Sequence, residues 1–292
     1  MKTRIISAAV GIVLLLAILV CPYSVVFAAA MAALAAIAVW ELLHNTGIVK
    51  ANALTSVCMA FSVLTVLLWH AISTVKFLDP SILWQNGFSW LCLHQDLIKM
   101  ILLVILALVA VLLCLRCHER LPVTAGASAL FLTVYATAGF SALTALRSDR
   151  NAYLYLVLVL VIPWMSDTGA YFVGTFLGKH KMTPVISPKK SWEGFFGGWA
   201  VSVGSAVLVG VLYQSITGVS VNLLFVAAMA CLLAPLSVCG DLFASVIKRQ
   251  SGIKDYGNIM PGHGGVMDRF DSVLIIAPIL YWLMQLLPVV QA

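Results

Sequence analysis

Thirty-six consecutive residues without a charge, Ile5 to Trp40, constrain this chain more than any other feature. About 20 apolar residues carry a helix across the hydrocarbon core of a bilayer. The run is too long for one crossing, and Cys21-Pro22-Tyr23 breaks it near its middle, so it reads as a helical hairpin. Further apolar runs follow at about 51–74, 98–115, 121–146, 152–177, 194–213, 221–240 and 272–291. With the hairpin they predict an all-α integral membrane protein of about nine transmembrane helices. Hydrophobic residues make up 62% of the chain and charged residues 10%, and the mean hydropathy is +1.06. Ordinary soluble domains do not reach such values.

Lys2 and Arg4 ahead of an apolar stretch resemble a secretory signal peptide, with Ala28 to Ala30 as the small residues of a cleavage site. Cleavage there would truncate the second helix, so the segment is read as retained. Bulky Val20 before Cys21 argues against lipidation. Seven scattered cysteines predict no disulfide framework.

The net charge of +6 would suit nucleic acid in a soluble protein. In a membrane chain it has to be read loop by loop, and no nucleic-acid partner is expected. With the N-terminus in the cytoplasm, thirteen Lys and Arg fall on inner segments and four, Lys76, Lys99, Arg147 and Arg150, on outer ones. This bias places segments 179–193 and 241–271 in the cytoplasm, where nucleotides are, and the C-terminus outside. The outer connection from Lys76 to Asp96, with Trp84, Phe88 and Trp90, is expected to lie along the interface. Cys114-Leu115-Arg116-Cys117-His118 matches the c-type haem attachment pattern. Its cytoplasmic side and the lack of a haem domain around it argue against haem, and a second ligand pair for zinc is missing.

The division expected is a single polytopic domain, 1–292, whose first 150 residues carry no motif and whose catalytic half spans 151–292. In that half Gly240 and Asp241 close an apolar span. If the helix continues, Asp241, Ser245 and Lys248 recur at i, i+4 and i+7 on one stripe. Asp268 follows 27 positions later, in the Gly-rich run Pro261 to Asp271, and shares a helix face with Asp271. Such hard oxygen ligands suit Mg²⁺, which takes one or two carboxylates and completes its shell with water and phosphates. Lys248, Arg249, Lys254 and Arg269 supply cations for phosphate charge. Charges flanking spans are commonly interfacial anchors, but four Asp, four cations and a Gly-rich turn between two apolar helices exceed what anchoring requires.

Asp167 is the only charge between Ala152 and Leu177, and carboxylates inside a span are functional by default, the alternative being an Asp that snorkels or hydrogen-bonds to a neighbouring helix. Gly174 and Gly178 on the same helix form a small-residue pair read as packing. Lys189 and Lys190, between Pro188 and Ser191, suit the triphosphate, a lipid phosphate or anionic headgroups. His263 reads equally well as a plain loop histidine.

Ser245-Val246-Ile247-Lys248-Arg249, then Lys254-Asp255, and His263-Gly264-Gly265-Val266-Met267-Asp268-Arg269-Phe270-Asp271 resemble the phosphatidate cytidylyltransferase signature. Met260 departs from that pattern, which has Leu, Ile or Phe there. Ser166-Asp167-Thr168-Gly169-Ala170-Tyr171 and Ser187-Pro188-Lys189-Lys190-Ser191-Trp192-Glu193-Gly194 are similar to segments of the same family, with Ser191 where Thr is commoner. The resemblance covers the C-terminal half closely and the N-terminal half only in architecture. It implies synthesis of CDP-diacylglycerol and pyrophosphate from CTP and phosphatidic acid, with Mg²⁺ as cofactor, room for a second, monovalent cation, and a homodimer. Asp241, Asp268 and Asp271 are the expected metal ligands, and with Lys248 and Arg269 the expected catalytic set. Asp167, Lys189, Lys190, Ser245, Arg249, Lys254, His263, Gly264 and Gly265 are expected to bind substrate. The competing classes are a transporter, a CTP-using lipid kinase and a CDP-alcohol phosphotransferase. The carboxylates crowd the span ends rather than the midplane and no interrupted helices repeat, which disfavours the first; the spaced Asp-Gly and Ala-Arg motif of the last is absent.

Overall fold

A computed structural model describes residues 17–19, 21, 24–50, 52–75, 94–119, 121–259, 262, 264–286 and 289–290. Apart from most of the first arm of the expected hairpin, which lies outside the described residues together with most of the connection 76–96, each predicted span is a helix. In chain order these are α1 Ser24–Trp40, extended by a π-helical turn Glu41–Asn45, then α2 Asn52–Val75, α3 Gln95–Arg116, α4 Val123–Arg147, α5 Ala152–Leu177, α6 Trp192–Thr217, α7 Leu223–Gln250 and α8 Met267–Leu286. Eight helices among the described residues are long and apolar enough to cross a membrane, and the chain is an all-α multi-pass membrane protein. The only sheet among the described residues is an antiparallel ribbon between α5 and α6, β1 Lys181–Thr183 and β2 Ser187–Ser191, pairing Lys181 with Ser191 and Thr183 with Ser187.

The last two helices depart from their predicted bounds: α7 runs past Gly240 to Gln250, and α8 keeps the predicted 20 residues but starts earlier. The 28 residues of α7 rise about 42 Å at 1.5 Å per residue against a hydrocarbon core of about 30 Å. Its last turns, from Asp241 onward, therefore have length to spare beyond the core. α8 starts at Met267 rather than near 272, so Asp268 and Asp271 stand in its first turns. The backbone of a helix satisfies its own hydrogen bonds, so α7 continues past its last apolar run until Gly252, with φ +68°, ends it.

The chain divides into two compact units, Met1–Ser148 with Ser251–Arg269, and Asp149–Gln250 with Phe270–Ala292. In the first, α1, α2 and α4 pack on one another and α3 lies against α2 and α4. Lipid tails are as apolar as side chains, so close approach of backbones holds such helices together. The contact faces are accordingly built on small residues: Ala28, Ala35 and Ala38 of α1 and Ala129 and Ala136 of α4 are fully buried. Ser73 and Ser148 hydroxyls add a bond at 3.0 Å between α2 and the end of α4.

In the second unit α5 and α6 form the most extensive helix pair. A Cβ on Gly198 would meet the Ser166 carbonyl and Ala170, and one on Gly169 would meet Val201 at 2.8 Å, so both glycines bring the helix axes close. The Ser202 hydroxyl donates to the Ile162 carbonyl at 2.8 Å across the same seam. Gly174 and Gly178 belong to this packing, facing the Ser191 hydroxyl. α7 packs on both partners.

Candidate active site

The ribbon is held in one pose by the start of α6. Ser191 caps that helix, its Oγ accepting the Gly194 N–H at 3.2 Å. Glu193 reaches back to His180, with Oε1 2.6 Å from the ring Nδ1 and Oε2 accepting the His180 N–H at 3.2 Å. The Trp192 N–H donates to the His180 carbonyl at 3.0 Å. On the far side, Arg249 at the end of α7 donates from Nε to the Ile186 carbonyl at 3.4 Å. Lys189 and Lys190 thus project from a short strand anchored at its base and at its turn.

The Lys190 ammonium meets the Asp241 carboxylate at 2.5 Å. Its nitrogen is buried, and with three donors on an ammonium one carboxylate oxygen does not exhaust it. Asp167, Tyr171, Ser187, Lys189, Lys190 and Phe195 line a cavity of about 230 Å³ at this point. α7 and α8 approach backbone to backbone next to it: a Cβ on Gly240 would stand 2.8 Å from the Asp271 carbonyl and 2.9 Å from Ser272 Cα. That contact sets Asp241 beside Asp271, and the electrostatic neighbours of Asp271 are Asp241, Lys248 and Asp167. Three carboxylates, Asp167, Asp241 and Asp271, and the ammonium groups of Lys190 and Lys248 therefore lie within electrostatic reach of one another.

Aromatic side chains flank the cavity. Tyr171 and Phe176 of α5 and Trp192 and Phe196 of α6 are exposed, and Trp192, Phe195 and Phe196 touch one another with ring centroids 5.3–6.3 Å apart. Exposed rings beside cationic groups at helix ends are the composition of a membrane–water interface.

The other expected ligand, Asp268, belongs to the first unit. Its Oδ2 accepts the Tyr256 N–H at 2.8 Å and the Gly265 N–H at 3.0 Å. Gly264 makes this possible with φ +88°, and a Cβ there would press on the same oxygen at 2.7 Å. Glu41 also enters this loop, with Oε1 and Oε2 accepting the Val266 and Met267 N–H groups at 3.0 and 2.8 Å. Asn45 donates to the Tyr256 carbonyl at 2.6 Å.

Among the expected site residues, Asp167, Lys189, Lys190, Asp241, Lys248 and Asp271 come together in the second unit. Ser245 lies on the stripe between Asp241 and Lys248, since α7 runs unbroken to Gln250. Asp268, Gly264 and Gly265 come together in the first. Arg249 reaches the ribbon turn, and the side chains of Lys254 and Arg269 are exposed. His263 and Met260 lie outside the described residues. Glu41 and Asn45 escaped the reading of the sequence. The available signal is Glu41 itself, a charge that directly follows the charge-free run yet lies inside the span.

A sequence profile of the cytidylyltransferase family matches residues 2–287. A phosphatidate cytidylyltransferase of Bacillus subtilis (strain 168) is 40% identical over 138 residues, 47% of this chain and 50% of that protein. One from Staphylococcus epidermidis is 40% identical over 151 residues, 52% of this chain and 56% of that protein. The chain thus aligns with about half the length of these two relatives. One from Staphylococcus saprophyticus subsp. saprophyticus is 33% identical over 234 residues, 78% of this chain and 87% of that protein. With a profile match over nearly its whole length and a relative aligned over most of both chains, this protein belongs to the cytidylyltransferase family.

Proposed function

We propose that the protein is a CTP:phosphatidate cytidylyltransferase. A phosphate oxygen of phosphatidic acid bonds to the α-phosphorus of CTP, the bond from that phosphorus to the bridging oxygen breaks, and pyrophosphate leaves with the electron pair. CDP-diacylglycerol stays in the bilayer. The observation that carries this reading is the buried Lys190–Asp241 pair at the edge of a cavity that also holds Lys189 and Asp167 and is flanked by exposed aromatic rings. A lipid phosphate is an anion at neutral pH, so the reaction needs positioning and charge stabilisation more than a strong base. Lys190, oriented by Asp241, and Lys189 suit the headgroup phosphate. Lys248 is placed to neutralise charge near Asp271.

The donor set favours a hard cation. Within either unit, among the described residues, no three carboxylate, imidazole or thiol groups form a closed ligand set, as a zinc site would need. The adjacent carboxylates Asp241 and Asp271 suit Mg²⁺, and Asp268 is a further hard oxygen ligand that the family resemblance implies. Bound there, Mg²⁺ would neutralise the phosphates and polarise them toward attack. The excess of Lys and Arg on alternate connections supports a cytoplasmic site in the cell membrane.

The test is pyrophosphate release by purified protein. Release that requires CTP, phosphatidic acid and Mg²⁺ together supports the reading. Release without phosphatidic acid, or phosphorylation of a lipid in its place, contradicts it.

A further inference from the structure

Glu41 has no solvent exposure, lies in the span of α1, and has no part in the chemistry proposed above. A carboxylate held inside a span is costly unless it is matched by donors. Its two oxygens each take one backbone N–H, from Val266 and Met267, at the start of α8. These are among the amides a helix leaves unpaired at its N-terminus, where the helix dipole also favours negative charge. An ordinary cap comes from the residue just before the helix. This one comes from 226 positions away.

The loop is shaped to admit it. A Cβ on Gly265 or on Gly257 would strike the Glu41 carboxylate. The π-helical turn Glu41–Asn45 sets Asn45 against the same segment, where it holds the Tyr256 carbonyl; π-turns are frequent at functional sites. The Tyr256 N–H is held in turn by Asp268, as is the Gly265 N–H. Backbone fixed by Glu41 and Asn45 therefore supplies two donors to Asp268 Oδ2.

We propose that Glu41 is a positioning residue for cytidylyl transfer: it fixes the Gly-rich loop and the first turn of α8 so that Asp268 presents its carboxylate in one orientation. The proposal rests on the cytidylyltransferase reading for its consequence in activity, and on contacts within one unit for its structural part.

The test uses the full-length protein in lipid nanodiscs, comparing wild type, Glu41→Gln, Glu41→Asp and, as a buried polar control away from the loop, Ser62→Ala. Hydrogen exchange of the segment 256–268 and steady-state pyrophosphate release are both measured, the latter across Mg²⁺ concentration. Groups that orient a metal ligand typically cost about 10- to 100-fold in activity or metal affinity when changed. Glu41→Gln should therefore lower kcat by about that factor and raise the Mg²⁺ activation constant about fivefold or more, leaving KM for phosphatidic acid within about twofold. Exchange at 264–268 should quicken by about tenfold, since opening of the segment becomes easier. Glu41→Asp should fall between, and Ser62→Ala should match wild type in both readouts.

Unaltered exchange in Glu41→Gln would overturn the proposal. So would a loss of rate that tracks the amount of folded protein while the Mg²⁺ constant stays fixed. If wild-type protein releases no pyrophosphate with CTP and phosphatidic acid, the functional reading fails, and the exchange comparison alone decides whether Glu41 is the clamp.

Discussion

Lys190 of the ribbon and Asp241 of α7 meet at 2.5 Å, with the ammonium nitrogen buried. The pair joins a short strand anchored on α6 to the point where α7 touches α8. It places a cation, held by a carboxylate, in the lining of a cavity of about 230 Å³.

Removing the ammonium while keeping the volume, in Lys190→Met, should lower kcat on the order of 100-fold, the usual cost of losing one group aimed at developing charge. Lys190→Arg should recover only part of the loss, because a planar fork does not replace a point charge. Combining Lys190→Met with Asp241→Asn should cost less than the product of the single effects, because the two act as a unit. Pyrophosphate release by the three variants measures this.

Lys189 is exposed, so its contribution is screened. Lys189→Ala should raise KM for phosphatidic acid by about fivefold, equivalent to about 1 kcal/mol, with kcat nearly unchanged. The difference from wild type should shrink as salt is raised. Titration with phosphatidic acid in mixed micelles at two ionic strengths tests it.

The architecture was readable from the sequence because a membrane span advertises itself by composition: the runs at 51–74 and 152–177 match α2 and α5 almost to the residue. The ends were less readable. α7 continues ten residues past Gly240, and hydropathy does not register a helix whose last turns are polar. Helical spacing groups Asp241 with Lys248 and Asp268 with Asp271, but it does not say that α7 and α8 bring Asp241 beside Asp271. Nor does it hint at the carboxylate partner of Lys190, because the ribbon that brings Lys190 there depends on Ser191, Glu193 and His180 acting together. Glu41 shows the sharper limit. Its partners are backbone amides more than 200 positions away, and no local pattern encodes them.

Glycines in the first unit's loop should be intolerant for different reasons. Gly264→Ala forces a side chain to φ +88° and should cost about 1–2 kcal/mol. Gly265→Ala drives a methyl into the Glu41 carboxylate and should cost about 1–3 kcal/mol. Gly204→Ala, with nothing within 4 Å of the new Cβ, should be neutral or gain up to about 1 kcal/mol from helix propensity. Thermal unfolding in one detergent ranks all three, and a destabilised Gly204→Ala would contradict the packing described.

The α5–α6 seam predicts its own order. Gly198→Ala must push α5 and α6 apart at the Ser166 carbonyl and should lower the unfolding temperature clearly. Ser202→Ala loses one bond to the Ile162 carbonyl, worth about 0.6 kcal/mol on average between membrane helices, and should lower it slightly. Equal shifts would mean that close approach is not what holds the pair.

In the proposed reaction Asp241 of α7 and Asp268 of α8 serve the transfer from CTP to a lipid phosphate. It is tested most directly by pyrophosphate release from purified wild type, Asp241→Asn and Asp268→Asn, each with CTP and phosphatidic acid, with Mg²⁺ or with excess chelator. Release is expected only in wild type with Mg²⁺ and both substrates, with a loss of at least about 100-fold in each variant. Release by either variant at the wild-type rate, or undiminished release in chelator, would contradict it.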